Sequence, residues 1–336
     1  AGFSKTRPLA PGESQTVTIA VPAKQLAEFL PGRGAWVIPA GVYTLFAGGS
    51  LAEAAPCAHL TVDAEVVLEI THPICPLHHP FGEVGSAAPA MEKAAKAAAL
   101  DLPAFVFAPL SDEVPVPAPV PMADGPVDEL VPMLYGNITQ GASTLGAAGI
   151  RVPGSAGETS EALEASRGVP SLIMADGPAG LRLRQSYQVD PADGSVIPTG
   201  VLGSLENGFL DEPRHLDTAD TYYQFCTAFP VGTALAQSWD TGLMEEFGRA
   251  IAAEMAEFHI DLWLAPGMNI QRNPLCGRNF EYYAEDPLLS GTLAAAVTRG
   301  VQADGTRGVT VKHFACNNQE DNRMAVDARV SEQALR

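Results

Sequence analysis

Residues 171–182 run Ser-Leu-Ile-Met-Ala-Asp-Gly-Pro-Ala-Gly-Leu-Arg, a short apolar segment that leads directly into a polar turn. The same arrangement recurs at 262–269 and at 308–313. Helical patterns separate these segments, because apolar residues repeat every four positions in 240–258 and in 286–302. Strands that alternate with helices are typical of a parallel sheet with crossover helices. This part of the chain is therefore predicted to have an α/β fold.

The remaining sequence predicts a multidomain protein. Residues 1–70 contain short alternating or β-branched runs separated by Gly and Pro, which indicates a β-sandwich. Residues 71–126 are interpreted as a Pro/Ala-rich linker with a short helix, and 127–336 as the α/β domain. The strands of the sandwich are expected at 15–21, 36–38, 42–46, 60–62 and 66–70.

The α/β domain is predicted to be an incomplete (β/α)8 barrel of the TIM type. Residues 127–336 hold only four or five candidate strands, whereas a closed barrel of this type needs eight. Asp240 is the expected N-cap of the helix over 240–258. Ser331 is the expected N-cap of a last helix that stops after about one turn. We expect the chain to be a fragment of a longer protein.

Polar side chains follow each of the three strands where the strand ends. In a barrel of parallel strands these ends form one mouth, where active sites lie. The residues expected to converge there are Asp176, Arg182, Arg278, Lys312 and His313. A carboxylate that accepts hydrogen bonds, together with cations that donate them, suits the hydroxyls of a sugar. A phosphate would need a Gly-rich GxxxxGK[ST] loop, which the sequence lacks.

Each of these residues also has a simpler interpretation. Asp-Gly-Pro at 176–178 is a common turn, and the Lys312-His313 pair could lie on the surface. Arg278 could simply pair with Glu281 or Glu285. The hypothesis of a polar site depends on three separate strand ends that carry such residues together.

Charge and cysteine content limit the partners. The 336 residues carry a formal net charge of −19, which argues against nucleic acid and against anionic membrane surfaces, since both need cations. No apolar run approaches the roughly 20 residues of a membrane span. Five cysteines without a CxxC pair argue against a disulfide framework, so a reducing, cytoplasmic location is expected.

Residues 72–79, His-Pro-Ile-Cys-Pro-Leu-His-His, are a candidate metal site. Its imidazoles and thiol are zinc ligands. Zinc motifs usually consist of two separated pairs, however, and two prolines restrict how this segment folds back. We interpret the segment as a structural loop, expect no metal or other cofactor, and keep zinc as the alternative.

Three stretches resemble glycoside hydrolase family 3. Residues 174–182 contain the DGPxGxR signature, and 264–287, which include Gly277-Arg278-Asn279-Phe280-Glu281, are similar to a long motif of that family. Lys312-His313-Phe314 followed by 317–320 matches its Lys-His motif. The first third of the chain resembles, more loosely, the fibronectin type III-like domain of many members.

The resemblance implies a β-glucosidase-type hydrolase that acts by retaining double displacement, without a cofactor, on a β-linked oligosaccharide or an aryl β-glucoside. By motif, Asp176, Arg182, Arg278, Lys312 and His313 would bind hydroxyls of the terminal non-reducing sugar, with Asp176 as the strongest contact. The β-sandwich precedes the barrel here, which is the permuted domain order of the family. A homo-oligomer is possible.

Two departures from the family pattern concern catalysis. The family nucleophile is an Asp in a Ser/Thr-Asp-Trp motif, and no Asp-Trp pair occurs in these residues. The acid/base Glu belongs to an α/β sandwich domain that would precede Ala1. Both carboxylates are expected outside the chain, so these residues alone are expected to be inactive. The alternatives are a sugar-binding or regulatory protein without catalysis, and a metal-dependent barrel hydrolase that uses His313 with the His72 segment.

Overall fold

The computed structural model describes residues 2–72, 95–108, 125–136, 151–197 and 216–336, with the single positions 74, 77, 79, 82 and 92. The chain forms two compact units. The first consists of Ala1–Val120 with Asp327–Arg336, and the second of Pro121–Val326. No helix among the described residues is both long and apolar enough to cross a membrane.

The first unit contains two three-stranded sheets. One is antiparallel, in the order β1 (Glu28–Leu30), β2 (Ala35–Ile38) and β5 (Val66–Ile70). The other has the order β3 (Gly41–Ala47), β4 (Ala55–Val62) and β6 (Ala104–Val106), with β3 antiparallel and β6 parallel to β4. A 3-10 turn at Ala23–Leu26 precedes β1. The strands predicted at 36–38, 42–46, 60–62 and 66–70 are confirmed.

The strand predicted at 15–21 is wrong. These residues have no regular secondary structure, and the side chains expected on its buried face, Val17, Ile19 and Val21, are exposed. The alternating pattern needs a neighbouring strand to supply hydrogen bonds and an apolar surface. No described strand pairs with this segment.

The region predicted as a linker contains regular structure where it is described. Residues 95–98 are helical, and β6 lies within the same region and pairs with β4. The Pro-alternating stretch at 114–121 lies outside the described residues. A three-residue strand such as Ala104–Val106 is too short for its pattern to be distinguished from an extended linker.

The second unit is built on a four-stranded sheet in the order β12 (Gly308–Val309), β11 (Leu262–Trp263), β8 (Ile173–Ala175) and β7 (Gly157–Glu158). The first three strands of this order are parallel, and β7 is antiparallel to β8. The predicted parallel strands are confirmed. A separate hairpin joins β9 (Ser186–Val189) and β10 (Asp220–Tyr223). The described strands form an open sheet and close no barrel.

The described residues of this unit form five helices. They are α1 (Val127–Leu130), α2 (Glu164–Arg167), α3 (Gly232–Ala236), α4 (Thr241–Glu257) and α5 (Pro287–Val301), with 3-10 turns at Val131–Leu134, Asn279–Glu281 and Arg323–Ala325. Asp240 caps α4 by accepting hydrogen bonds from two backbone N–H groups, as predicted, and Asp286 caps α5 in the same way. Both helices bury one apolar face.

The last helix, α6 (Glu332–Leu335), belongs to the first unit. Ser331 caps it, as predicted, by accepting a hydrogen bond from the Ala334 N–H. The buried Glu332 carboxylate accepts from the Ile74 N–H at 2.9 Å and pairs with Arg336 at 2.9 Å. The Arg336 guanidinium lies 4.3 Å from the centre of the Phe29 ring. These contacts stabilise a helix that is too short to be stable alone.

Two glycines allow α4 and α5 to cross closely. A Cβ on Gly300 would lie 2.1 Å from the Glu245 carbonyl oxygen, and a Cβ on Gly248 would lie 2.3 Å from that of Val297. Both partners are backbone atoms, which cannot rotate away as a side chain can. The helix–helix contact therefore requires glycine at these positions.

Gly300→Ala should destabilise the chain by about 1–3 kcal/mol, because the added methyl overpacks the helix crossing. The matched control is Gly291→Ala in the same helix, where a Cβ has no neighbour within 4 Å. That change should be neutral or stabilising by up to about 1 kcal/mol, since Ala favours helix. Urea unfolding of both variants measures the difference, and equal stability would show that the crossing is not tight.

Candidate functional site

The turn after β8 positions Asp176. Gly177 and Gly180 have φ values of +115° and +122°, where side chains are strained. A Cβ on Gly177 would lie 2.0 Å from the Gly180 carbonyl oxygen, and a Cβ on Gly180 would lie 2.1 Å from that of Thr227. The Arg182 N–H donates to the Asp176 carbonyl oxygen at 2.9 Å and closes the turn. The Asp-Gly-Pro segment is thus a turn and also carries a site residue.

Asp176 binds two cations. Its Oδ1 lies 2.5 Å from the Lys312 ammonium, and its Oδ2 lies 2.9 Å from the Arg182 guanidinium. Burial alone would raise the pKa of Asp176, but the hydrogen bond and charge of Lys312, with help from Arg182, outweigh burial and lower it. The carboxylate therefore stays ionised and accepts hydrogen bonds at neutral pH.

The sheet brings Lys312 to this carboxylate. The Lys312 N–H donates to the Pro266 carbonyl oxygen at 3.0 Å, and its own carbonyl accepts from the Met268 N–H at 2.8 Å. These bonds continue the parallel pairing beyond the ends of β11 and β12. Because the strand that ends before Asp176 is adjacent to β11, the two side chains meet although 136 positions separate them.

His313 lies beside this ion pair. Its backbone N–H donates to the Asn269 Oδ1 at 2.8 Å, and its Nδ1 lies 3.2 Å from both that oxygen and the Tyr282 hydroxyl. Burial, followed by the positive charges of Arg278 and Lys312, lowers the pKa of His313 to about 4. The ring is therefore neutral at pH 7, where an imidazole can both donate and accept a hydrogen bond.

Arg278 is held by a carboxylate, as the simpler interpretation allowed. Its Nε forms an ion pair with Glu281, whose side chain is only 6% exposed. Burial lowers the pKa of Arg278, but Glu281 more than offsets this effect and the net pKa is raised. The Tyr282 ring packs edge-on against His313 with centroids 5.9 Å apart, and burial raises the Tyr282 pKa to about 12.

A cavity of about 570 Å³ opens beside these groups. Asp176, Arg182 and Arg278 line it directly. Lys312 forms an ion pair with the lining residue Asp176. The rest of its wall consists of Gly177, Pro178, Ala179, Gly180, Leu181, Cys226, Thr227, Ala228, Phe280, Glu281 and Arg323. Three of the five predicted residues, Asp176, Arg182 and Arg278, thus line one cavity of the second unit, and Lys312 and His313 are not among its lining residues.

Sequence reasoning did not assign roles to several residues of this region. Asn269 and Tyr282 orient His313, and Arg323 lines the cavity. The first two lie inside the 264–287 motif, so the motif itself was the available signal. Arg323 carried no signal, since it follows the Lys-His motif on an irregular segment.

A metal-binding arrangement is not found among the described residues, where no three His, Cys, Asp or Glu side chains cluster suitably. Cys75 and His78 of the His72 segment lie outside the residues that the structure describes, so this alternative remains a prediction there. Cys57, Cys226, Cys276 and Cys316 are free thiols.

Family comparisons match both parts of the chain. Residues 218–335 match the model described as "Glycosyl hydrolase family 3 N terminal domain". Residues 1–51 match the model described as "Fibronectin type III-like domain". The multidomain organisation that the sequence predicts is therefore confirmed.

Relatives of known name are similar to one or both parts. "Thermostable beta-glucosidase B" of Acetivibrio thermocellus is 42% identical over 50% of this chain and 19% of its own length. "Beta-glucosidase" of Ruminococcus albus is 32% identical over 100% of this chain and 33% of its own length. A solved β-glucosidase from Paenibacillus barengoltzii is 26% identical, with a TM-score of 0.63 over 99% of this chain and 35% of that one. The chain thus spans only about a third or less of these proteins.

The neutral state of His313 can be tested directly. Its NMR titration should have a midpoint near pH 4. Arg278→Met should raise this midpoint, since a nearby positive charge disfavours imidazolium, whereas the exposed control Arg272→Met should not. Because the folded pKa lies below the ordinary value of 6.5, the unfolded state binds more protons between these values. This group's contribution to stability is therefore lost as pH falls from 6.5 to 4. A midpoint near 6.5 would contradict this account.

Proposed function

We propose that this chain, which carries a glycoside hydrolase family 3 N terminal domain and a fibronectin type III-like domain, supplies the sugar-binding site of a β-glucosidase. Two relatives of this chain, from Acetivibrio thermocellus and Ruminococcus albus, are named β-glucosidases. The whole protein would release a terminal β-linked sugar from an oligosaccharide or an aryl β-glucoside. The observation that carries the proposal is the Asp176 carboxylate held between Lys312 and Arg182 at the wall of a cavity.

The proposed sugar contacts follow from the charge of each group. The ionised Asp176 accepts hydrogen bonds from hydroxyls, and Lys312 and Arg182 donate to hydroxyl oxygens. Arg278, held in place by its ion pair with Glu281, also donates to hydroxyl oxygens. The neutral His313 contributes either a donor or an acceptor. A pyranose carries adjacent hydroxyls that are each both donor and acceptor, which matches this mixed set.

The proposed chemistry is retaining double displacement. It needs two carboxylates about 5–5.5 Å apart, one as nucleophile and one as acid/base. Asp176 is unsuited to the acid role because its pKa is lowered. In the family pattern neither catalytic carboxylate falls on these residues, which lack an Asp-Trp pair. We infer that this chain binds the sugar and that both carboxylates come from other parts of the whole protein.

The domain architecture proposed for the whole protein is a fibronectin-like β-sandwich followed by a (β/α)8 barrel. The two sheets of the first unit and the parallel strands of the second support it. The Ruminococcus relative aligns along the whole of this chain, in keeping with the permuted order. The free described cysteines support the proposal of a cytoplasmic location, and self-association remains part of the proposal.

Asp176→Asn should lower kcat/KM of the whole protein for 4-nitrophenyl β-glucoside by about 10- to 100-fold. It removes a charged acceptor, whose hydrogen bonds contribute about 1.5–3 kcal/mol. Inhibition by glucose should become weaker by a similar factor. The control Asp193→Asn changes a carboxylate that is fully exposed and outside the cavity, and it should leave both values unchanged. Native kinetics in the folded Asp176 variant would refute the proposed site.

The 336 residues alone should bind glucose without hydrolysing glucosides. Binding is measured by NMR titration of the His313 ring, with Asp176→Asn as the negative control. If the purified chain hydrolyses 4-nitrophenyl β-glucoside and Asp176→Asn hydrolyses it equally well, a contaminant or a different site is responsible. Turnover lost in that variant would show that the catalytic carboxylates lie within these residues.

A further inference from the structure

The cavity has a buried floor and an exposed rim. On the floor, the side chains of Arg278 and Glu281 are 21% and 6% exposed, and that of Asp176 is 26% exposed. On the rim, Phe280 is 55% exposed and the Arg323 side chain is 51% exposed. All five residues line the same cavity. Its volume of about 570 Å³ is within the range of sites for ligands of drug size, roughly 300–1,000 Å³, so it has room for more than one sugar ring.

The charged side chains of the floor form close ion pairs, whereas Arg323 lies farther from its carboxylate partner. Asp176 lies 2.5 Å from Lys312, and Arg278 forms its ion pair with Glu281. Arg323, by contrast, lies 3.4 Å from Glu320, whose other oxygen already accepts a hydrogen bond from Asn317 at 2.8 Å. Among the described cations that line the cavity, Arg323 is the least closely paired.

We propose that Phe280 and Arg323 bind the aglycone, the group that leaves the sugar, and favour a planar aromatic aglycone that carries a carboxylate. This inference rests on the proposed function. A terminal sugar on the floor directs its C1 substituent toward the exposed side of the cavity. There the Phe280 ring offers a face for stacking, and the Arg323 guanidinium offers a fork for a carboxylate. The chain as a whole carries −19, so this preference depends on local charge.

The experiment compares two substrates that differ mainly in charge, 4-carboxyphenyl β-glucoside and its methyl ester, with the whole protein at low ionic strength. We expect kcat/KM to be about fivefold higher for the acid, as for a half-exposed ion pair. The preference should shrink in 0.5 M NaCl because salt screens such pairs. Arg323→Gln should reduce the acid-to-ester ratio of kcat/KM to about 1.

Two further variants make the test specific. Arg299→Gln removes an exposed arginine on α5, outside the cavity, and should keep the native ratio. Phe280→Leu should raise KM for both aryl substrates by about threefold, as expected for loss of one stacking contact, and should leave the ratio unchanged. A native ratio near 1, or a ratio that Arg323→Gln does not alter, overturns the inference.

Failure of the proposed function looks different. If the whole protein hydrolyses neither substrate and does not bind glucose, the sugar site itself is wrong. If it hydrolyses the ester well, depends on Asp176 and shows no preference for the acid, the sugar site stands and only the assignment of the rim fails.

Discussion

The ion pair between Asp176 and Lys312 joins the segments that follow β8 and β12, the two strands on either side of β11. Its oxygen and nitrogen lie 2.5 Å apart although the residues are 136 positions apart in sequence. The contact exists because β8, β11 and β12 are parallel neighbours that end at the same edge. Arg182 binds the second oxygen of the same carboxylate. Removing Asp176 would take the carboxylate partner away from the mostly buried Lys312 ammonium, which costs more than a surface pair is worth.

Local features of the fold could be predicted wherever neighbouring residues decide the structure. The caps at Asp240 and Ser331, the two long helices and the parallel strands depend on residues a few positions apart. The strand predicted at 15–21 was wrong because no described strand pairs with this segment, although its apolar and polar residues alternate. The placement of α6 in the first unit could not be predicted from the sequence either, since it depends on the contact of Arg336 with Phe29.

The candidate site shows the same division. Its five predicted residues follow strand ends or lie in recognisable motifs, and the structure brings them together. Their supporting contacts depend on three-dimensional packing that no spacing indicates. The need for glycine at 248 and 300 could not be predicted either, because it arises only from the close crossing of α4 and α5. The sequence alone could therefore name the charged groups but not what orients them.

The balance of charge on the cavity floor has a consequence for what can bind there. Each charge of the floor already has an opposite partner, and the His313 imidazole is neutral because burial, followed by the positive charges of Arg278 and Lys312, lowers its pKa. A neutral, hydroxyl-rich ligand exchanges hydrogen bonds with these groups and leaves the ion pairs in place. A charged ligand on the floor would have to break one of them and pay the desolvation of its own charge. On the proposed function, the floor would therefore suit a neutral sugar, and we infer that charge selection acts at the exposed rim, where Arg323 lies.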